Sequence, residues 1–462
     1  MMPSIRRFAV LVLLLSLTGV TSGFAQQSTS SKRLTIEQLM DIKHPSDPVW
    51  SPDGSHVAFL WDRAGVTNVY LAGVDGSGEP APLTKFTDGH LGNAFWSHNS
   101  KTVYFDHDGS LWQAEIAGGE PQPVWQGKAG ERGFALSPDG TRVALVRGGD
   151  AADDDDELVV RSLADGAETR VAQDAVSISR PLWAPDGAHI AYISGAKIVH
   201  HNVSPDYSGA KLIYSVEEYQ PGQLMVISSS GGKAVVVGTR GRYDALAWLD
   251  ASRLVFARQS DHYKRRTIYV AAARDGSTRA IHEDVEKDFW SLPDWEAGPE
   301  PAPSPDGHWI AFLSDQDGWD HIYVVSSAGG QAVQITKGRF EAWRPAWSHD
   351  STRIAFDANE PDHSGDRRLG IATLGKDPRQ AKIEYITTGT GTNIAPRWSD
   401  DDRRLVYQHT DVQNSADLYA MDAKAGAKPA RVTGSTSFRP SESASPHDPS
   451  VRYGRDREGD TT

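Results

Sequence analysis

The sequence predicts an all-β fold, a β-propeller of eight blades with four antiparallel strands each, from three observations. First, a motif made of an apolar residue, a polar turn and an apolar strand recurs eight times over about 360 residues. Second, a further strand and a second turn follow each copy. Third, successive copies start 40 to 65 residues apart, which suits one four-stranded blade per copy.

The first copy, Trp50–Phe59, shows the physical logic of the repeat. Its Pro52-Asp53-Gly54 sequence favours a tight turn, because proline fixes φ, aspartate caps the turn and glycine takes positive φ. The apolar residues after the turn predict a strand. We expect the tryptophan ahead of the turn to pack between neighbouring units. The other copies are 96–105, 136–145, 183–192, 248–256, 303–312, 347–356 and 398–407, and six of the eight copies begin with tryptophan.

The second half of each unit is a further apolar strand with a turn behind it. In the first unit these are Asn68–Leu71 and Asp75-Gly76. Two intervals between copies are longer than the rest and carry insertions, at about Gly195–Gly222 and Glu283–Pro301. Insertions in repeat proteins fall in loops, often on the functional face.

The first 25 residues predict a secretory signal peptide. Arg6 and Arg7 precede an apolar run, Phe8–Leu17, and small residues precede Gln26. The apolar run is too short to span a bilayer. We therefore expect a secreted or periplasmic protein without a membrane span after removal of the signal.

The remaining chain divides into three parts. We expect residues 26–33 to be disordered, residues 34–434 to form the propeller, and residues 435–462 to be a disordered tail or a truncated linker, because they contain almost no apolar residues. Within the second part, Thr35–Met40 predicts a short helix, with Thr35 as its N-cap.

Composition excludes several kinds of partner and cofactor. The formal net charge is −14, and it becomes −16 without the two arginines of the signal segment, so nucleic acid is not an expected partner. The sequence has no cysteine, hence no disulfide, and we expect no cofactor. The acidic run Asp153–Glu157 suggests either a cation site or a solvated loop, and the missing ligand spacing favours the loop.

A family resemblance rests on three stretches, Leu34–Leu39, Ser46–Gly54 and Pro205–Lys211. Over residues 34–434 the chain resembles the N-terminal region of bacterial prolyl-oligopeptidase-family serine peptidases, including the dipeptidyl-peptidase IV and acylaminoacyl-peptidase branches. The resemblance implies a propeller that covers a C-terminal α/β-hydrolase domain and filters substrates by size. That domain would supply a Ser-Asp-His triad, with the serine in a Gly-x-Ser-x-Gly turn.

The Gly-x-Ser-x-Gly pattern does not occur in the 462 residues. We therefore assign no catalytic residue and expect the chain to be the propeller region, inactive by itself. The resemblance also implies a substrate-binding role for Glu217 and Glu218, since a glutamate pair on the propeller of dipeptidyl-peptidase IV-like enzymes holds the free α-amino group of the substrate. The alternative for this pair is two exposed glutamates at a loop or strand end.

Two other candidate groups have simpler explanations. His200 and His201 could suggest a metal, but neighbouring strand residues face opposite ways and no third ligand is evident, so we expect no metal site. Trp290, Trp295 and Trp319 could line a ligand face, or they could pack between blades.

Two functions follow from these observations. The first is the substrate-gating region of a secreted peptidase, whose partners would be a peptide substrate and a hydrolase domain. The alternative is a stand-alone TolB-like periplasmic propeller that binds a protein or peptide partner, because fold alone does not determine function.

Overall fold

A computed structural model describes residues 44–434, except 63–64, 77, 126–129, 149–154, 175–176, 204–205, 208–209, 212–213, 261–263, 287–300, 361–362, 376, 388–389 and 413–414. Several sequence predictions lie outside the described residues. These are the signal segment 1–25, the segment 26–33, the helix Thr35–Met40, the tail 435–462 and the side chains of Trp290 and Trp295.

The described residues form 36 short strands and one 3₁₀ turn, Pro378–Gln380. In chain order, the first twelve strands are β1 Ser46–Trp50, β2 His56–Asp62, β3 Thr67–Gly73, β4 Ala81–Pro82, β5 Leu91–Trp96, β6 Thr102–His107, β7 Ser110–Glu115, β8 Gln122–Pro123, β9 Glu131–Leu136, β10 Arg142–Arg147, β11 Asp156–Ser162 and β12 Glu168–Asp174. The next twelve are β13 Ile178–Trp183, β14 His189–Ser194, β15 Lys197–Val203, β16 Asp206–Tyr207, β17 Ala210–Lys211, β18 Tyr214–Gln220, β19 Gly222–Ser228, β20 Val235–Gly241, β21 Asp244–Asp250, β22 Arg253–Ser260, β23 Arg265–Ala272 and β24 Thr278–Val285. The last twelve are β25 Ala302–Pro303, β26 Trp309–Ser314, β27 His321–Ser326, β28 Val333–Gln334, β29 Ala342–Trp347, β30 Arg353–Glu360, β31 His363–Thr373, β32 Lys382–Tyr385, β33 Thr392–Trp398, β34 Arg404–Thr410, β35 Asp417–Asp422 and β36 Ala430–Arg431.

Thirty-two of these strands form antiparallel groups of four, and β15–β18 form two separate two-stranded sheets. Six separate sheets contain β1–β4, β5–β8, β9–β12, β13-β14-β19-β20, β21–β24 and β25–β28. Two further groups, β29–β32 and β33–β36, are joined into one sheet by a single parallel bridge between Arg367 and Thr392. We number the groups 1 to 8 along the chain. The arrangement confirms the predicted all-β propeller fold.

The first strands of the groups form the inner ring. First strands of neighbouring groups contact one another, as β9 does with β13 and β29 with β33. In each group the first strand runs toward the turn of the repeated motif, and the second strand runs back from it. The ring therefore has a turn end, with the motif turns, and an opposite end, at which second strands end and third strands begin.

A β-bulge interrupts the first strand of all groups except the sixth, whose β25 is only two residues long. In each case the register shifts just before the motif. The residue three positions ahead of the motif has positive φ at Asp47, Asn93, Gly133, Ala245, Arg344 and Ala395. Because bulges bend a strand and increase its twist, they suit the curved inner wall of a ring.

The six motif tryptophans each connect their group to the group before it. Each indole N–H donates a hydrogen bond to the backbone carbonyl of the residue just ahead of the preceding motif. The bonds are Trp96 to Val49 (3.1 Å), Trp183 to Ala135 (2.9 Å), Trp248 to Leu182 (3.0 Å), Trp347 to Ala302 (3.0 Å) and Trp398 to Ala346 (2.9 Å). Trp50 donates to Arg397 (3.2 Å) and so closes the ring between groups 1 and 8. The predicted packing of these tryptophans between units is confirmed.

The core consists of apolar clusters between neighbouring groups. Each motif ends on a large buried residue in the second strand: Phe59, Phe105, Leu145, Tyr192, Phe256, Phe312, Phe356 and Tyr407. Burying one such side chain contributes about 1.5–3 kcal/mol. The cluster that joins the two ends of the chain contains Trp50 and Phe59 of group 1 with Val406 and Leu418 of group 8.

The motif turns are capped by their own side chains. In the first copy the Ser51 hydroxyl donates to the Asp53 carboxylate (2.6 Å), which also accepts from the Ser55 backbone N–H (3.0 Å). Ser137 and Asp139 repeat this pair at 2.5 Å. These bonds lower the pKa of Asp139 to about 2, the Ser137 hydrogen bond having the largest effect. Turn capping therefore accounts for the repeated aspartate without a metal.

The last two residues of the acidic run differ from the solvated loop that the sequence predicts, while Asp153 and Asp154 lie outside the described residues. Asp156 and Glu157 begin β11 rather than a loop, and Asp156 is buried. Arg132 donates to the Asp156 carboxylate (2.6 Å), and Arg170 donates to Glu157 (2.9 Å). For these two residues the prediction failed because arginines from β9 and β12 of the same sheet pair with the carboxylates, and this pairing depends on strand order and register rather than on local sequence.

Candidate functional site

A two-stranded arm, residues 197–220, is inserted into group 4 between its second and third strands. It consists of the hairpin of β15 and β18, with the small hairpin of β16 and β17 between them. Since β14 runs away from the turn end, the arm leaves the ring at the opposite end. The predicted insertion at Gly195–Gly222 is therefore a structured element rather than an irregular loop.

The base of the arm is attached to group 4 by backbone hydrogen bonds. Gly195 N–H donates to the Ser177 carbonyl (2.8 Å), and the Ser177 hydroxyl donates to the Ala196 carbonyl. On the other side, the Arg240 guanidinium donates to the Pro221 carbonyl (3.4 Å). A Cβ atom at Gly222 would lie 2.5 Å from the Ile193 side chain, so this position needs glycine. These contacts set the direction in which the arm leaves the ring.

Glu217 and Glu218 lie in the middle of β18, not at a loop or strand end. In the antiparallel register, Glu217 is opposite His200 and Glu218 is opposite Val199. The strand register therefore places one member of the glutamate pair, Glu217, directly opposite one of the two histidines, His200. Neighbouring strand positions lie on opposite faces, so Glu217 and Glu218 occupy different faces of the hairpin.

A charged network lies between groups 2 and 3. Glu131, at the start of β9, accepts hydrogen bonds from Arg161 (2.7 Å) and Arg147 (2.9 Å), and both arginines also contact Glu168. Burial opposes ionisation of Glu168, but hydrogen bonds from the two arginines outweigh it and lower its pKa to about 2. The Arg161 guanidinium lies 4.3 Å from the centre of the Trp125 ring. All four charged groups have partners, so the network is structural.

A second network holds the inner strands of groups 7 and 8. The fully buried carboxylate of Asp357 accepts from Arg344 (2.9 Å) and Arg367 (2.6 Å). It also accepts from the backbone N–H of Ala395 (3.3 Å). Arg344 and Ala395 are the bulge residues of β29 and β33, so one carboxylate binds both bulges. The sequence gives no sign of this role, because the three partners are far apart along the chain.

The described residues contain no set of three or more histidines and acidic residues arranged to hold a metal ion. Nor does the described part of the chain include a helix long and apolar enough to cross a membrane. Trp319 lies half-buried in the connection between β26 and β27, where its backbone N–H donates to Asp317 (3.3 Å).

Two known families match parts of this chain. Residues 223–415 match the family described as dipeptidyl peptidase IV (DPP IV) N-terminal region. This match begins directly after the arm. Residues 109–211 match a second family, the lipoprotein LpqB β-propeller domain.

Two individual proteins also match this chain, and both are described as probable dipeptidyl peptidases 4. A probable dipeptidyl peptidase 4 from Aspergillus flavus is 22% identical over 75% of this chain and 51% of its own length. A probable dipeptidyl peptidase 4 from Emericella nidulans is 27% identical over 25% of this chain and 15% of its own length. This chain therefore spans about half, or less, of the relatives it matches.

Among solved structures, dipeptidyl peptidase 4 from Porphyromonas gingivalis superposes with a TM-score of 0.61 at 14% identity, covering 83% of this chain and 58% of that one. This likeness shows the fold alone. With the family match and the four-stranded groups, it supports the resemblance drawn from the repeated motif. The described residues form a β-propeller, and its residues 223–415 match the dipeptidyl peptidase IV N-terminal region.

Proposed function

We propose that this propeller is the substrate-gating region of an exported DPP IV-like serine peptidase, and that its arm binds the free amino terminus of peptide substrates. The observation that carries the proposal is the arm of residues 197–220, which leaves the ring at one end and places Glu217 and Glu218 in its second strand. Peptide hydrolysis itself would require a hydrolase domain, which the family resemblance implies.

The chemistry of the arm suits an ammonium group. A carboxylate that accepts hydrogen bonds from a cation forms a strong, short interaction when it is partly removed from water. A free peptide amino terminus provides such a cation, and an acetylated terminus does not. Selection for the free terminus would restrict the enzyme to chain ends, in keeping with the names of the relatives.

Binding of a short peptide to the purified chain tests this role. The probe is a pentapeptide with fluorescein on a C-terminal lysine, measured by fluorescence polarisation in its free and N-acetylated forms. We expect the free form to bind more tightly. Glu217→Gln and Glu218→Gln remove one charge each, and loss of a charged hydrogen bond weakens binding by about 10- to 100-fold.

Because residues 217 and 218 occupy alternate positions of a regular strand, we expect the two substitutions to weaken peptide binding to different extents. Glu120→Gln provides the matched control, because Glu120 is an exposed glutamate outside the arm. Equal binding of both peptide forms would contradict the proposal, as would wild-type affinity in both arm variants.

Export forms the second part of the proposal. It is supported by the Arg6-Arg7 pair and the apolar run Phe8–Leu17, and by the match to a lipoprotein propeller. N-terminal sequencing of the protein from the cell envelope or the medium should find Gln26 as the first residue. An intact Met1 on protein confined to the cytosol would contradict export.

A second candidate function is a stand-alone propeller that binds a protein partner. The match of residues 109–211 to the LpqB propeller domain favours it, and the TolB-like repeats are compatible with it. Under this alternative, arm variants would leave peptide binding unchanged, while a stable stoichiometric complex with one envelope protein would purify with the chain.

A further inference from the structure

A cleft between groups 7 and 8 is lined by tyrosine rings and neutral polar side chains. Its volume is about 260 Å³, and its walls come from the outer strand of group 7 and from the strands and the third connection of group 8. Small-molecule sites usually span about 300–1,000 Å³, so this cleft suits a ligand of a single ring. It is separate from the arm, which belongs to group 4.

Aromatic rings form the apolar part of the cleft. Tyr407 and Tyr419 stack at a centroid distance of 6.0 Å, and Tyr385 faces the cleft from group 7. His409 completes the wall, with its ring edge-on to Tyr419 at 5.1 Å. Flat aromatic surfaces of this kind bind the C–H faces of a ring-shaped ligand.

The polar groups of the cleft are neutral or held by neighbours. The side-chain NH₂ of Asn393 donates to the Arg367 carbonyl (2.8 Å). The side-chain oxygen of Asn393 accepts a hydrogen bond from His409 Nδ1 (2.9 Å). His409 Nε2 lies 3.3 Å from the Asp411 carboxylate at the edge. Among the described lining residues none is lysine, arginine, aspartate or glutamate. The charged groups beside the cleft contact its wall residues: the Arg368 guanidinium lies 3.5 Å from the centre of the Tyr385 ring, and the Asp411 carboxylate lies against His409.

Tyr407 contributes its phenol to this wall. The residue is 2% exposed. Burial raises the pKa of Tyr407, and the nearby Tyr419 adds to the effect, so the phenol stays neutral and can both donate and accept a hydrogen bond. A hydroxyl group of a bound ligand is a suitable partner for it.

We propose that the cleft between groups 7 and 8 binds one neutral saccharide unit, which packs against Tyr419 and exchanges a hydrogen bond with Tyr407. A saccharide ring combines a flat apolar face with several hydroxyl groups, which suits a cleft lined by tyrosine rings and neutral polar side chains. Attachment to a polysaccharide or glycan would hold the propeller near glycosylated material. This inference does not depend on the role of the arm.

Saturation-transfer difference NMR on the full chain tests the proposal with glucose, galactose, mannose and N-acetylglucosamine as probes. We expect at least one to bind, with its ring C–H protons closest to the protein. Tyr407→Phe keeps the ring and removes only the hydroxyl, and we expect roughly tenfold weaker binding. Tyr104→Phe is the matched control, because Tyr104 is a half-buried tyrosine that stacks on Phe95 away from the cleft.

Several outcomes would overturn the proposal. They are the absence of binding by all four sugars at millimolar concentration, equal binding by the wild type and Tyr407→Phe, and equal loss in Tyr104→Phe. Binding of phenylalaninamide at the cleft with no saccharide signal would identify a site for an aromatic side chain instead. Circular dichroism of each variant should match that of the wild type, so that loss of binding reports the cleft and not the fold.

Discussion

Substitution of Trp398 tests whether the tryptophan hydrogen bonds stabilise the ring. The Trp398 side chain is 6% exposed, and its indole N–H donates to the Ala346 carbonyl at 2.9 Å. The Arg353 guanidinium lies 4.5 Å from the centre of its ring. That guanidinium also donates to the Asp402 carbonyl (2.8 Å), in the next motif turn. Trp398 therefore connects groups 7 and 8 through both its edge and its face.

The expected loss follows from these two contacts. Trp398→Phe removes the donor and leaves the Ala346 carbonyl without it, at a cost of about 1–3 kcal/mol. Weaker stacking of Arg353 on the smaller ring adds about 0.5–1 kcal/mol. We expect the free energy of unfolding to fall by about 2–4 kcal/mol in total.

Urea unfolding followed by far-ultraviolet circular dichroism measures the loss. Trp309→Phe is the control, because Trp309 is half-buried and its indole has no hydrogen bond within the described part of the chain. Replacement of Trp398 by benzothienylalanine exchanges only the N–H for sulfur and isolates the hydrogen bond. A benzothienylalanine variant with the wild-type urea midpoint would refute this account of the tryptophans.

Three further predictions concern the turns and the inner ring. Gly276 and Gly166 share a φ of +69°, but a Cβ atom at Gly276 would collide with the Val236 carbonyl, whereas a Cβ atom at Gly166 would meet no other atom. Gly276→Ala should therefore lower the melting temperature clearly more than Gly166→Ala. Equal effects of the two substitutions would contradict the close contact at Gly276. The pKa of Asp139 is lowered to about 2 from its ordinary 3.8, so the stabilising effect of its carboxylate is present above about pH 4 and is lost as the pH falls toward 2. Asp139→Asn should therefore reduce the fall in melting temperature between about pH 4.5 and 2.5. A pH profile equal to that of the wild type would count against the turn hydrogen bonds. Asp357→Ala leaves the guanidinium groups of Arg344 and Arg367 without their shared partner, so the free energy of unfolding measured by calorimetry should fall by about 3–5 kcal/mol. Asp186→Ala, at an exposed turn, should cause a far smaller loss. A small loss for Asp357→Ala would show that other groups pair with the two arginines.

The sequence predicted the repeating part of the fold well, because that part is locally encoded. Turn residues such as Pro52-Asp53-Gly54 determine their own conformation, and the short apolar run after them indicates a strand that is buried on both faces. The regular tryptophan spacing also predicted packing between units. Each of these features depends on residues within one unit, which a single sequence displays directly.

The parts that the sequence missed depend on register and on distant partners. The bulge residues Asp47, Asn93 and Ala395 share no side-chain type, so their common positive φ follows from the curvature of the ring. Asp156 appeared to belong to a solvated acidic run, yet its carboxylate is buried and pairs with Arg132 from β9 of the same sheet.

The candidate site was predicted in part. The long interval between repeats located the arm, and the resemblance singled out Glu217 and Glu218. Their place in the middle of β18, with Glu217 opposite His200, could not be predicted, since the register of a hairpin depends on its turn and its packing. The tyrosine cleft was missed because Tyr385, Tyr407 and Tyr419 come from three strands of two groups.

Photo-crosslinking of a bound peptide tests the central claim most directly. The peptide carries a photoreactive diazirine on its first residue next to a free amino group, and mass spectrometry identifies the crosslinked protein segment. The proposed function predicts that crosslinks concentrate within residues 197–220 and disappear when the amino group is acetylated. Crosslinks at the turn end of the ring, or a pattern that acetylation leaves unchanged, would contradict it.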